Sequence, residues 1–176
     1  MSYFTVDVEA DGPIPGDYSM VCFGVVAVEP DLKHTFYGKV RPISDKWVPE
    51  ALAISGFSRE EHQAFDDPRQ TMLDFKGWLM KVSQGRPIFI SDNPAFDFAW
   101  INWYFHHFIG ENPFGFSARR IGDLYAGMQM DTFVKWKHLR DTDHDHNPVN
   151  DAKGNAEALL KMKAMGLKLP TKVNPL

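Results

Sequence analysis

Four carboxylates and one imidazole lie in three short segments: Asp7-Val8-Glu9, Asn93-Pro94-Ala95-Phe96-Asp97 and His146-Asn147-Pro148-Val149-Asn150-Asp151. Gathered in one pocket, they would offer oxygen ligands to two divalent cations and a base to a water molecule. That is the chemistry of phosphodiester hydrolysis. Each residue also has a plainer use. Asp7 and Glu9 are two apart, so on a strand they leave the same face, either as solvated edge charges or as a costly pair in need of cations. Asp97 falls in the first turn of a helix and could serve the helix dipole alone, with Asn93 as the cap. His146 and Asp151 straddle the start of the last helix and could be a solvated loop imidazole and a second dipole-matched acid.

Two neighbouring stretches compete for attention. Asp141-Thr142-Asp143-His144-Asp145 alternates acids as a calcium loop does, but an EF-hand starting there needs Gly sixth and Glu twelfth. The chain has His146 and Ala152 at those positions. A zinc site on His144 and His146 lacks a Cys or a spaced His pair to complete it. The segment is therefore expected to be a solvated acidic loop beside the site. Lys135-Trp136-Lys137-His138-Leu139-Arg140 is a basic, aromatic stretch that would either grip the phosphates of an incoming strand or form a solvated helix face with Trp136 inward.

The elements that must position these residues are legible in the hydrophobic pattern. Tyr3–Val8, Met20–Val28 and His34–Val40 read as three strands on short connections, an antiparallel meander, with the second apolar enough to be buried on both faces. Ser58-Arg59-Glu60-Glu61 is a capping box. Asp67-Pro68 opens a helix carrying Met72, Phe75, Leu79 and Val82 on one face, and Pro87–Ser91 is a compact strand. Pro94 starts a helix whose stripe reads Phe96, Trp100, Trp103 and Phe108. Residues 110–120 read as loop, Asp123–His138 as helix, and Pro148–Met165 as a final helix with Val149, Ala152, Ala156, Leu159, Leu160 and Lys163 in register. The order is that of an α/β protein with helices packed on a mixed sheet.

Bulk properties constrain the partners less. A chain of 176 residues, 44% hydrophobic and 24% charged, suits one globular domain. A net charge of −4 argues against broad capture of long duplexes but not against an enzyme whose own site is acidic. Cys22 stands alone in an apolar run, which excludes an internal disulfide and points to the reducing cytoplasm. No uncharged run spans a membrane, and residues 1–8 read as strand rather than signal peptide.

Taken together, Asp7-Val8-Glu9, Asn93 to Asp97, and His146 to Asp151 followed by Ala152 resemble the three exonuclease motifs of the DEDDh family. This is the histidine branch of the proofreading exonucleases. The resemblance runs from Phe4 to about Leu160, and Pro49 to Phe57 resembles the substrate loop of RNase T-like members. It implies an RNase H-like fold: a mixed sheet of a three-strand antiparallel meander plus parallel strands, flanked by helices. Residues 1–170 would form a single exonuclease domain, and 171–176 a C-terminal tail.

For the site, the resemblance implies that Asp7, Glu9, Asp97 and Asp151 ligate two divalent ions, Mg²⁺ or Mn²⁺, and that His146 deprotonates the attacking water. The products would be 5′-mononucleotides from the 3′ ends of single-stranded DNA or RNA, or of short oligonucleotides. Ala10 would contact the terminal nucleotide through its backbone, Ile54 and Phe57 would pack near the terminal bases, and Asn93 would border the substrate. Ala10 departs from the hydroxyl residue often found there, Ser91-Asp92-Asn93 replaces a His-Asn pair, and Pro13 replaces a wedging aromatic. A dinucleotide or cyclic-nucleotide phosphodiesterase would use the same residues, and a non-catalytic nucleic-acid-binding module would keep the fold. The Trp-rich helix at 100–108 offers a surface on which a homodimer could form.

Overall fold

The computed structural model describes residues 1–170; the tail read at 171–176 lies outside the described residues. Five strands, β1 (Ser2–Ala10), β2 (Met20–Ala27), β3 (Thr35–Lys39), β4 (Pro87–Ser91) and β5 (Ala118–Arg120), form one sheet in the order β3-β2-β1-β4-β5. β1–β2 and β2–β3 are antiparallel, as the meander requires, while β1–β4 and β4–β5 are parallel. β2 is buried along its whole length. β1 is central, and its alternation divides the molecule: Phe4, Val6 and Val8 join the core beneath one face, while Thr5 donates to the carbonyl of Ala152 at 2.8 Å on the other.

Among the described residues, six α-helices cover the sheet: α1 (Pro49–Ile54), α2 (Arg59–Gln63), α3 (Pro68–Val82), α4 (Pro94–Ile109), α5 (Ile121–Gln129) and α6 (Pro148–Ala164). Met72, Phe75 and Leu79 of α3 pack with Trp100, Ile101, Tyr104 and Phe105 of α4 in the core on one face. Ile121 and Tyr125 of α5 join Leu159 and Met162 of α6 on the other. The capping box at Ser58 forms as the sequence suggests, with both reciprocal hydrogen bonds present.

α6 approaches the sheet unusually closely. A Cβ on Gly24 would lie 2.2 Å from the backbone of Pro148, so only glycine allows the first turn of α6 to rest on β2. Gly24 pairs with Asp7 across β1 and β2, which sets that first turn directly beside Asp7.

Three sequence expectations change. Residues 110–120 contain β5, a three-residue edge strand of sequence Ala-Arg-Arg, too short and polar to show alternation. The helix expected over Asp123–His138 starts two residues earlier and stops at Gln129. Met130 turns to φ 53°, Phe133 points into solvent, and Lys137–Leu139 is a 3-10 turn. On α4 the core takes Asp97, Trp100, Ile101, Tyr104 and Phe105, while Phe96, Trp103 and Phe108 are only partly buried. That helix is apolar on nearly every side, so periodicity alone could not choose its inner face. Trp100 is turned wholly into the core.

A buried polar knot fixes the far end of β1. Asp11, fully buried, accepts from the Ser19 amide at 2.6 Å and from Arg59 Nη1 at 2.8 Å. Its carbonyl accepts the Val48 amide at 2.7 Å, which holds the start of α1 against the strand that carries Glu9. His62 beside it is also buried, and that burial presses its pKa down to about 4, so it enters the knot neutral.

Candidate active site

Asp7 and Glu9 leave the same face of β1, as their spacing dictates, and meet the first turn of α6. One carboxylate oxygen from each of Asp7, Glu9 and Asp151 lies within 4.8 Å of the others. Asp97, 4% exposed in the first turn of α4, accepts the Val8 amide at 3.2 Å, so its carboxylate faces the β1 backbone between Asp7 and Glu9. A break in strand register between Glu9 and Ala10 lies at this point, where strand pairing gives way to the cavity rim.

Electrostatics follow from the crowding. Burial first, then the charges of Asp97, Asp151 and Glu9, push the Asp7 pKa well above the carboxylate range, against the pull of Arg140. Glu9 rises to about 7 through burial and the charges of Asp151 and Asp97. Asp97 also rises to about 7, chiefly through burial, although the Val8 amide favours its charged form. The cluster is short of positive charge.

That shortage has a measurable sign. Glu9 moves from 4.5 unfolded to about 7 folded, so between those values the folded, metal-free protein holds protons that the unfolded chain has lost. Stability conferred by the protonated groups is complete below the unfolded values and disappears as pH rises through the folded ones. Urea unfolding in EDTA is expected to show stability falling from pH 5 to pH 8. The loss is on the order of 2 kcal/mol for each of Glu9 and Asp97, the carboxylates raised to about 7, after allowance for solvent screening. A divalent cation that occupies the carboxylates removes the slope. A metal-free protein as stable at pH 8 as at pH 5 would contradict the crowding.

His146 is held by its backbone rather than by its ring. Its amide donates to Asp151 Oδ2 at 3.1 Å, and its φ of 60° is left-handed, which aims the side chain back towards β1. The imidazole is half exposed, with Nδ1 3.8 Å from Glu9 Oε1. Asp145 fastens the next residues by accepting the Asn147 amide at 3.0 Å and Asn150 Nδ2 at 2.8 Å. Asn147 then caps α6 through the Val149 amide.

The segment expected to be a solvated acidic loop is exposed at Asp141, Asp143, His144 and Asp145 and lies beside the site, and it is also pinned to α6. Glu157 accepts the amides of Asp141 and Thr142, and Lys161 pairs with Asp141 at 2.6 Å. His144, set aside in the sequence, places Nδ1 2.6 Å from Asp151 Oδ1. Arg140 was read as one end of a phosphate-gripping face, yet its Nη2 donates to the same oxygen at 2.8 Å from a nearly buried position. It reaches Asp151 across Gly154, where a Cβ would stand 2.3 Å from the guanidinium. Trp136 packs inward and Lys137 pairs with Asp92, so the basic stretch forms no continuous surface. A glycine three residues after Asp151, inside a helix, was the one trace of Arg140 in the sequence.

An apolar cavity of about 320 Å³ opens beside Glu9, lined by Ala10, Pro13, Val48, Ala51, Ile54 and Phe96. Ala10 and Ile54, named from the sequence, are among its lining residues, as is Ala51 of the Pro49–Phe57 segment, while Val48 and Phe96 were given no substrate role there. Phe57 is not among the lining residues: it packs edge-on to Phe65 under Lys39. Asn93 is exposed, and its carbonyl, not its side chain, begins α4 by accepting the Asp97 amide at 2.9 Å.

Acids converging from the central strand and the first turns of two helices, with a histidine beside them, define a nuclease-type site on an RNase H-like fold. No protein-family model matches the chain. It is nevertheless 36% identical, over 169 residues and 88% of each protein, to the 3′-5′ DNA exonuclease Cap18 of Escherichia coli. The nuclease domain of 3′hExo, a DEDDh family member bound to rAMP, shares the fold at a TM-score of 0.76 and 18% identity, covering 94% of this chain and 92% of its own. The Escherichia coli ExoI–ssDNA complex superposes at 0.70 and 15% identity, over 94% of this chain and 40% of the other. The chain belongs to the family of 3′–5′ exonucleases that includes Cap18, and its fold is the one seen in a DEDDh nuclease domain.

Proposed function

We propose that this 3′–5′ exonuclease removes mononucleotides from the 3′ ends of single-stranded or short DNA, with Asp7, Glu9, Asp97 and Asp151 as ligands of two divalent ions and His146 as base. The observation that carries the reading is the cluster itself. Four acids share one buried site with too little positive charge, and an all-oxygen donor set suits Mg²⁺ or Mn²⁺. DNA is favoured because the relative of 36% identity is named for DNA.

When bound, the ions would neutralise the carboxylates and stabilise charge on the attacking and leaving oxygens. The chain does the rest. Asp7 and Glu9 on a rigid central strand, and Asp97 and Asp151 on first helical turns, would hold those ions in one place. His146, half exposed at the mouth, takes a proton from the attacking water and passes it to solvent. The apolar cavity against Glu9 receives the terminal base, and sequence-tolerant stacking on Phe96 with apolar packing against Ile54 suits an enzyme that removes any nucleotide. The lone, buried Cys22 supports a reducing, cytoplasmic setting.

The test is digestion of matched DNA and RNA oligomers labelled at either end, in Mg²⁺, Mn²⁺ or EDTA. Mononucleotide release from the labelled 3′ end is expected only with a divalent ion, and faster on DNA. No metal-dependent product from any end would sink the reading, and turnover confined to dinucleotides would move it to small-nucleotide hydrolysis.

A further inference from the structure

We propose that His144, His146 and Asp151 form a second metal site, selective for zinc-class cations, whose occupation switches the enzyme off. The consequence for activity rests on the function proposed above; the site itself rests on geometry. One ligand atom from each of the three residues lies within 4.8 Å of the others. The two rings stand 4.5 Å apart and inclined by 61°, rather than stacked. Tetrahedral zinc with bonds of about 2.0–2.1 Å needs ligand atoms roughly 3.3 Å apart, so separations that reach 4.8 Å must close while the His144 Nδ1–Asp151 Oδ1 pair, at 2.6 Å, must open. Both imidazoles are about half exposed on the loop before α6, free to turn the remaining distance.

The fixed ligand is Asp151, 1% exposed and held by Arg140. Zinc would enter between His144 Nδ1 and Asp151 Oδ1, which already face each other at 2.6 Å, as the two atoms move apart. Water completes a tetrahedron.

The donor set decides which ion binds. Two imidazole nitrogens and one carboxylate suit Zn²⁺, Co²⁺ or Ni²⁺, whereas Mg²⁺ prefers oxygen alone. The carboxylate cluster and the histidine pair therefore select different ions while sharing Asp151. The overlap makes the second site inhibitory. Zinc there occupies the imidazole of His146, the proposed base, and takes an oxygen of Asp151 away from the cluster. Arg140 and Asp7, Glu9 and Asp97 face Asp151 with opposite signs, so the local field still favours a cation.

The probe is the metal alone. EDTA-stripped, desalted protein is titrated with Zn²⁺ by calorimetry and with Co²⁺ by visible absorption, which reports tetrahedral nitrogen ligation. Wild type is expected to bind with a tetrahedral Co²⁺ band. His144→Ala is expected to weaken Zn²⁺ binding roughly 10- to 100-fold and lose the band, and His144→Cys, which restores a zinc ligand, is expected to regain binding. In Mn²⁺-driven digestion, the zinc concentration that halves the rate, normalised to each variant's own zinc-free rate, rises by the same factor in His144→Ala. Zinc affinity unchanged in His144→Ala, or lost only in Asp7→Asn, would place the ion in the carboxylate cluster and overturn the proposal. If digestion fails with every metal the proposed activity falls, while the binding measurements still decide the site.

Discussion

Asp7→Asn is expected to stop nucleotide release, by on the order of 10⁴-fold, while making the metal-free protein more stable rather than less. The two effects have one cause. Asp7 stands on the central strand among Asp97, Asp151 and Glu9, and its charged form is disfavoured by burial and by all three neighbours. An amide of the same shape removes that repulsion, so unfolding in EDTA near pH 8 shifts to higher urea or temperature. The same amide offers only one oxygen and no charge to a divalent ion, so the stabilisation that Mn²⁺ confers on wild type largely disappears. Thermal unfolding with and without Mn²⁺, beside the digestion assay, separates these effects. A variant that loses activity and metal-free stability together would make Asp7 a structural residue.

The trade between function and stability explains what could be read from the sequence. The strand meander, the capping box at Ser58 and the helix at Pro68 follow from local pattern, because there propensity and burial agree. Two of the three motifs were visible because they break that agreement: an acid pair interrupts an apolar strand, and an acid stands on an apolar helix at Asp97, whereas His146 to Asp151, in a polar segment, stood out through the family resemblance. What escaped was non-local. Arg140 reaches Asp151 only because Gly154 clears its path, and Gly24 matters only because the backbone of Pro148 lands on it. His144 looked like loop solvent until the fold set it on Asp151. β5 was invisible for a different reason: three residues of sequence Ala-Arg-Arg pair with β4 by backbone alone, with no side-chain pattern to betray them. The inner face of α4 was obscured by excess, since a helix with aromatic residues on every side suits several registers.

His146→Asn is expected to lower turnover by about 10²- to 10⁴-fold and to leave metal binding nearly intact. The choice of asparagine matters. His146 has φ 60°, and its amide is the group that donates to Asp151 Oδ2. Alanine there would strain the backbone and disturb Asp151, confusing loss of a base with loss of a ligand. Asparagine tolerates the left-handed region, so the amide contact and the cap at Asn147 persist while the imidazole is gone. The ring itself contributes no close hydrogen bond to the cluster, its nearest carboxylate oxygen lying 3.8 Å away on Glu9. Its removal therefore changes proton transfer and little else. The variant is expected to keep the wild-type Mn²⁺ dependence of unfolding and the wild-type KM for a DNA oligomer, with the loss confined to kcat. A weakened response to Mn²⁺ would make His146 part of the metal site. Near-normal kcat would remove it from the chemistry and leave proton transfer to solvent or to Glu9.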